Sequence, residues 1–228
     1  MQIENNILRY YLRNAYFITG TAYAGKSTMV KMLSERFGMI ACGENYWTEL
    51  SDTVAEPEIQ PNLCYFKQMK SWEDFVRRSP EEYERWMYAN GWEAAGFEAA
   101  ALIALSSSGK KIIVDTNLPL PLLHELSDYD HVAVMLSPQS MSVDRFFDRS
   151  DPEKRFILDV INGCEDADAV MENYRAGLAR INSREHYEEF ASAGFYTIVR
   201  GNTEEDTREA VCAELARHFR LTEGEDNP

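Results

Sequence analysis

The sequence contains few cysteines and few histidines. The four cysteines (Cys42, Cys64, Cys164 and Cys212) and the four histidines are scattered along the chain. They lack the paired spacing that metal sites and redox motifs need. We therefore interpret the cysteines as buried or isolated thiols, as expected in a reducing compartment.

Positive charge is also in short supply. The 228 residues include 23 lysines and arginines against 38 aspartates and glutamates, which gives a formal net charge of -15. A charge of this sign repels nucleic acids and anionic membrane surfaces. We expect neither as a partner, and a positive site would have to be local.

Long hydrophobic runs, internal repeats and low-complexity segments are missing as well. The most apolar stretch, AAALIAL, is too short to cross a bilayer, and the first residues do not resemble a signal peptide. These features predict a cytoplasmic protein. With 45% apolar residues, the chain is expected to form one domain over residues 1–221, followed by a disordered tail at 222–228.

Five short apolar runs predict buried β-strands, and helical patterns lie between them. The predicted strands are at 15–18, 38–45, 110–117, 131–138 and 195–202. The predicted helices are at 26–37, 80–106 with a break near Asn90-Gly91, 140–147, 166–192 and 204–219. Strands that alternate with helices predict an α/β fold with three layers, in which a mostly parallel sheet is covered by helices on both faces.

Local signals mark some of the boundaries. Gly38 is expected to end the first of these helices, and Ser79-Pro80-Glu81-Glu82 is a capping signal for the start of the next. The polar segment with Pro57 and Pro61 is interpreted as a loop without regular structure.

The stretch YFITGTAYAGKSTM contains a phosphate-binding loop motif. Its spacing G-x-x-x-x-G-K-[ST] lies between a predicted strand and a predicted helix, which is the context that supports such a match. The backbone amides of the loop and the start of the following helix can bind a phosphate group. Lys26 can bind the outer phosphates, and the hydroxyl of Ser27 can bind Mg²⁺. We expect Thr28 to contact the inner phosphate. The predicted nucleotide-binding residues are Gly20, Thr21, Ala22, Tyr23, Ala24, Gly25, Lys26, Ser27 and Thr28.

Asp115 closes the buried run IIVD. A carboxylate at the end of the strand beside the first one could hold Mg²⁺ together with Ser27, although aspartate is also common as a turn residue at strand ends. The next residue is Thr116, where motor and transport ATPases usually place a water-activating glutamate. Hydrolysis is therefore not the expected reaction. Asn117 could contact either the metal or a phosphate acceptor.

Three arginines follow the predicted strand at 131–138. Arg145 and Arg149 are four residues apart and are predicted to share a helical face, and Arg155 lies nearby. Planar guanidinium groups suit both adenine stacking and phosphate binding. Surface ion pairs with the neighbouring aspartates are the competing interpretation.

The loop, the strand-end Asp115 and the arginine pair resemble the small P-loop kinases, the group of nucleoside monophosphate kinases, shikimate kinase and chloramphenicol phosphotransferase. The resemblance implies a five-stranded parallel sheet, ATP with Mg²⁺ as phosphate donor, and an arginine-bearing lid at about 140–160. It further implies that Arg145 stacks on adenine and that Arg149 reaches the phosphates. Tyr23 departs from the pattern, since many of these kinases carry a third glycine there.

The phosphate acceptor is expected at the carboxyl ends of the strands. Glu44 follows the second strand, at the place where shikimate kinase-like enzymes put an acid against the substrate hydroxyl, but it could equally be a solvated loop acid. Asp115 is the alternative base. The helical region at about 44–105 is rich in aromatic residues that could line an acceptor site, although core packing is favoured for Tyr83, Trp86 and Trp92.

These observations predict an ATP-dependent kinase that acts on a small polar molecule, as a monomer or a homodimer. Lys26, Asp115, Glu44 and Arg149 are its candidate catalytic residues. The alternative is an ATPase or a nucleotide-gated switch without a small-molecule acceptor. A GTP-dependent switch is disfavoured, because the chain has no N-K-x-D segment and no D-x-x-G after the strand-end acid.

Overall fold

A computed structural model describes residues 3–148, 152–201 and 205–222 of the chain. Its strands form one sheet of five parallel strands in the order β2-β3-β1-β4-β5. The strands are β1 (Ala15–Gly20), β2 (Ile40–Cys42), β3 (Ile112–Asp115), β4 (Val132–Leu136) and β5 (Tyr196–Val199). The predicted α/β class and its parallel five-stranded sheet between helical layers are confirmed.

Twelve α-helices lie within the described ranges. They are α1 (Asn5–Leu12), α2 (Lys26–Phe37), α3 (Thr48–Val54), α4 (Tyr65–Gln68), α5 (Trp72–Val76), α6 (Pro80–Ser106), α7 (Leu120–Leu126), α8 (Gln139–Asp144), α9 (Pro152–Asn162), α10 (Ala167–Ile181), α11 (Arg184–Ala191) and α12 (Arg208–His218).

The central strands are apolar on both faces, because helices cover both faces of the sheet. In β1, Tyr16 and Ile18 pack into one core with residues of α2 and α12. Ala15 and Phe17 point the other way, into a second core shared with α1, α6, α7 and α11. The alternation follows from the two-residue period of a strand. The four cysteines are buried and not disulfide-bonded, as predicted.

A third apolar core joins helices that lie outside the two cores of the sheet. It contains Phe75 of α5, Tyr83 of α6, Ile157 and Ile161 of α9, and Tyr174 of α10. We call helices α5, α9 and α10, together with the first turns of α6, the helical cap. The predicted acceptor region and the predicted lid segment therefore share one core.

The predicted boundaries of two helices are confirmed. Gly38 ends α2 in the left-handed conformation, with φ of 63°. Ser79 caps α6, where its hydroxyl accepts a hydrogen bond from the backbone of Glu82, whose carboxylate returns to the backbone N–H of Ser79. The segment with Pro57 and Pro61 contains neither helix nor strand, but α3 and α4 flank it.

Two helix predictions are wrong. Helix α6 runs for 27 residues through Asn90 and Gly91 without a break. A single glycine costs about 1 kcal/mol in a helix, which the packing along α6 outweighs. The helix predicted at 166–192 is divided into α10 and α11, because Ser183 caps a new helix by accepting a hydrogen bond from the backbone N–H of His186.

The sequence patterns also missed α1, α7 and α9. The predicted disordered tail lies almost entirely outside the described residues, which end at Thr222. Within the described ranges, no helix combines the length and the apolar character needed to cross a bilayer.

Gly20→Ala is expected to destabilise the protein by about 3 kcal/mol or more. Gly20 has φ of 124°, and a methyl group on it would lie 2.0 Å from the carbonyl oxygen of Met135. Gly38→Ala is the matched control, since Gly38 also has positive φ but open space around it; we expect a loss of about 1 kcal/mol there. Urea unfolding measures both variants, and equal losses would contradict the role of the close approach.

Candidate functional site

The register of the sheet brings three strand ends together at one edge. Ile18 of β1 pairs with Asp115 of β3, and Gly20 of β1 pairs with Met135 of β4. The loop after β1 consequently lies between Asp115 on one side and the segment that begins at Ser137 on the other. Ligands of open parallel sheets bind at this edge.

The backbone of residues 20–27 has the form of an anion-binding loop. Gly20, Tyr23 and Gly25 all have positive φ, at 124°, 67° and 95°. Helix α2 begins directly after Gly25 and is twelve residues long. Among the described residues, none accepts a hydrogen bond from the backbone N–H groups of residues 25–28. Free amides at a helix start attract a negatively charged group.

Two serine hydroxyls, one directly after β4 and one on α8, fix the first half of the loop. Ser137 and Ser142 both donate hydrogen bonds to the carbonyl oxygen of Ala22, at 2.6 and 2.8 Å. The backbone N–H of Ser137 donates to the hydroxyl of Thr21 at 2.8 Å. These contacts, of which the one to Thr21 is buried and the two to Ala22 are partly buried, hold the loop in shape without using the amides at the start of α2.

Arg200 fixes the tip of the same loop. Its guanidinium donates a 2.7 Å hydrogen bond to the carbonyl oxygen of Tyr23. Tyr23 is a non-glycine residue with positive φ, a conformation that persists where neighbours enforce it. The contact from Arg200, just beyond β5, therefore helps to hold the tyrosine at a position where the resemblance leads one to expect glycine.

Lys26, Ser27 and Asp115 form the polar centre of the site. The hydroxyl of Ser27 donates to Asp115 Oδ2 at 2.6 Å, and Lys26 Nζ lies 3.9 Å from Asp115 Oδ1. Lys26 also donates to the carbonyl oxygen of Thr21 at 3.3 Å, across the loop. Asp115 is only 3% exposed. The structure thus brings together the residues predicted to hold a metal ion and a phosphate chain.

This donor set fits ATP with Mg²⁺. Magnesium is usually held by one or two protein oxygens and by phosphate oxygens, so a hydroxyl and one carboxylate suffice on the protein side. The described residues contain no group of three or more acids, histidines or cysteines arranged around a metal position. Ser27 and Asp115 would hold the ion, and the loop amides with Lys26 would hold the phosphates. Thr28 lies in the exposed first turn of α2.

Glu98 is a buried acid at this site that the sequence patterns did not indicate. It lies on α6, is 2% exposed, and accepts a hydrogen bond from the hydroxyl of Thr116. The backbone N–H of Leu118 donates to that same hydroxyl at 3.0 Å. The pKa of Glu98 is raised to about 7. Burial is the largest cause, the Thr116 hydrogen bond opposes it, and the negative charge of Asp115 adds to it.

The acceptor candidates lie beside Asp115 but at the surface. Asn117 Nδ2 donates to Glu44 Oε1 at 3.4 Å, and both side chains are exposed. Gly91 of α6 lies over the same place, where a Cβ would be 3.5 Å from the Asn117 carbonyl oxygen. The backbone of Asn117 therefore lies against α6 at Gly91, while Asp115 is engaged with Ser27.

The helix predicted at 140–147 is shorter than expected. Helix α8 ends at Asp144, with the exposed Arg145 as its C-cap, and residues Phe146–Asp148 form a 3-10 turn. Arg149 itself lies outside the described residues. Arg145 is three residues beyond Ser142, which touches the loop. Arg155 is exposed on α9.

The aromatic residues of the acceptor region mostly pack with one another. Tyr83 and Trp86 belong to the core of the helical cap, as predicted. Trp92 is 51% exposed, so its interpretation as a core residue is wrong. Because α6 continues through Asn90 and Gly91, Trp92 lies on the solvent side of the helix. The predicted break at these two residues hid this orientation.

Several residues of the site carry no recognisable signal in the sequence. Ser137, Ser142 and Arg200 act through tertiary contacts with backbone carbonyls, which no spacing rule predicts. Glu98 had one available signal, namely a lone acid within the apolar stretch FEAAALIAL. A charged residue there requires either exposure or a buried partner.

Comparison of the chain with protein-family models, with curated proteins and with solved structures found no match. The fold and the geometry of the site are therefore the observations on which a function can be argued.

Glu98→Gln is expected to stabilise the protein at pH 8 and to change its stability much less at pH 5. Because the folded-state pKa of Glu98 lies above its ordinary value of 4.5, the folded protein holds this proton more tightly than the unfolded chain does. Wild-type stability consequently falls as the pH rises from about 4.5 to about 7, by on the order of 3 kcal/mol.

Urea unfolding of wild type and variant at pH 5, 6.5 and 8 measures this difference. Glu35→Gln is the control, since Glu35 is 67% exposed on α2 and should give a difference that is nearly constant with pH. A Glu98→Gln effect that does not grow between pH 5 and pH 8 would contradict the assignment.

Proposed function

We propose that this chain is an ATP- and Mg²⁺-dependent phosphotransferase whose acceptor is a small polar molecule. The observation that carries the proposal is the contact between Ser27 and Asp115, 2.6 Å long, with Lys26 3.9 Å from the same carboxylate. It joins a hydroxyl, a carboxylate and an ammonium group at the start of a helix whose first amides have no acceptor among the residues that the structure describes. This combination of groups suits the binding of metal-bound phosphates.

Each residue has a distinct part in the proposed reaction. When bound, ATP supplies the transferable phosphoryl group and Mg²⁺ neutralises charge on its oxygens. The loop amides and Lys26 bind and orient the phosphates, and Ser27 and Asp115 hold the ion. Glu44 and Asn117 orient the acceptor hydroxyl at the exposed side of the site. Asp115 is the weaker candidate for the base, because Ser27 and Lys26 already occupy its oxygens.

The arginine contribution remains part of the proposal. Arg145 lies close in sequence to the serine that supports the loop, and a guanidinium in this region would suit adenine stacking or phosphate binding. Arg149 is proposed for the phosphates on the resemblance alone. Both assignments depend on the nucleotide being ATP.

An ATPase without a small-molecule acceptor is the second candidate function. Glu98 favours it. The residue after Asp115 is Thr116 and not an acid, but the fold brings the carboxyl group of Glu98 close to both residues. Against it, the group is 2% exposed and accepts a hydrogen bond from Thr116. A base that activates water must reach that water within about one hydrogen bond. The kinase is therefore preferred.

Lys26→Ala is expected to lower phosphoryl transfer on the order of 100-fold or more, because it removes the mobile charge on the outer phosphates. Lys31→Ala is the matched control on the same helix; Lys31 is 75% exposed and should leave turnover within about twofold. The assay measures ADP release with Mg²⁺-ATP over a panel of alcohols, amines and phosphorylated compounds.

The panel also separates the two candidate functions. A kinase should release ADP slowly until one class of acceptor is added. Fast release that no acceptor increases, and that Lys26→Ala abolishes, would replace the kinase with an ATPase. Release that is unaffected by Lys26→Ala would reject the site altogether.

A further inference from the structure

A cleft of about 570 Å³ lies in the helical cap, away from the loop. Its walls include Tyr65 of α4, Arg77 and Arg78 after α5, and Arg85 and Trp86 of α6. An α-helix turns by about 100° per residue. Trp86 is five residues from Gly91, which faces Asn117, so the cleft opens on roughly the opposite side of α6 from the candidate active site.

Arg78 is held in this cleft by aromatic rings, and none of the acids that the structure describes forms an ion pair with it. Its guanidinium carbon lies 3.5 Å from the ring centre of Tyr65 and 5.0 Å from that of Trp86. Its Nη1 is buried and has no hydrogen-bond partner among the described residues. A buried donor without an acceptor is unfavourable and rare in folded proteins.

The neighbouring arginine shows what an ordinary structural role looks like in this chain. Arg77 donates to Glu73 Oε1 at 2.8 Å and binds both carboxylate oxygens of Asp166. Arg180 likewise contacts Glu81 and Glu84. Within the described ranges, neither Arg78 nor Arg85 has an acid within ion-pair distance, although acids greatly outnumber bases in the sequence.

The acids in the cleft wall are already engaged with helix starts. Asp74 accepts from the backbone N–H of Ser71 at 3.3 Å. Glu82 accepts from the backbone N–H and the hydroxyl of Ser79, both at 3.0 Å. These capping contacts hold the two carboxylates at the helix starts. The hydrogen bonds from Ser79 lower the pKa of Glu82, and the charges of Arg85 and Arg78 lower it further without an ion pair among the described residues, so both guanidinium groups keep donors for an incoming anion.

We propose that this cleft is a second ligand site, which binds a small molecule bearing a phosphate or carboxylate group through Arg78 and Arg85. The Tyr65 and Trp86 rings fix the guanidinium plane, and a fixed planar fork suits the two oxygens of such a group. The rings also offer apolar surface to the remainder of the ligand. The site does not depend on the proposed kinase activity, since none of its residues touches the loop.

Calorimetric titration of the full chain with phenyl phosphate, benzoate and inorganic phosphate at low salt tests the proposal. Phenyl phosphate or benzoate should bind to the wild type, and Arg78→Gln should weaken that binding at least tenfold. Arg180→Gln is the matched control, because Arg180 lies outside the cleft wall, and it should change binding less than about twofold. Lys26→Ala should leave it unchanged, which separates the cleft from the phosphate-binding loop.

Arg85→Gln guards against a folding artefact, because Arg85 is exposed and its replacement should leave the thermal unfolding temperature unchanged. We expect it to weaken binding of the organic anions at least threefold. The proposal is overturned if neither organic anion binds, if binding survives Arg78→Gln and Arg85→Gln, or if it is lost only in Lys26→Ala.

Discussion

The parallel pairing of β1 with β3 on one side and with β4 on the other is the constraint on which the site depends. It places Ile18 opposite Asp115 and Gly20 opposite Met135. A slip of one residue would turn the side chains of β1 to the other face and move the loop away from Asp115. The contact between Ser27 and Asp115 exists only in this register, as do the serine contacts from the β4 side.

The helical cap imposes a second constraint, on how the site can open. Phe146 and Phe147, which follow α8, contact Tyr174 of α10, and Trp72 of α5 contacts Phe156 of α9. Moving the lid segment alone would expose this aromatic core to water at a cost in apolar burial. A movement that keeps the core intact carries α5, α9 and α10 together.

Sequence patterns predicted the parts of the fold that local chemistry determines. The five strands were recognisable because buried parallel strands are continuous apolar runs, and Gly38 and Ser79 marked helix boundaries through their own conformational needs. The loop residues and Asp115 followed from spacing and strand position. The unbroken α6, the division at Ser183 and the supports from Ser137, Ser142 and Arg200 depend on tertiary contacts, which no local pattern encodes.

Glu98 shows how the fold changes the meaning of a sequence feature. The residue after Asp115 is Thr116, where a hydrolase is expected to have an acid. Helix α6 nevertheless brings Glu98 to the hydroxyl of this threonine. Because burial raises the pKa of Glu98 and the charge of Asp115 adds to it, a positive charge that binds at Asp115 would lower the pKa of Glu98 again. Ligand binding at the loop and the proton on Glu98 are then thermodynamically linked. Thr116 therefore stands in the sequence where a hydrolase would have an acid, and the carboxyl group of Glu98 lies near the site instead. Because Glu98 is buried, it is not placed to activate water, but its pKa depends on the charge at Asp115.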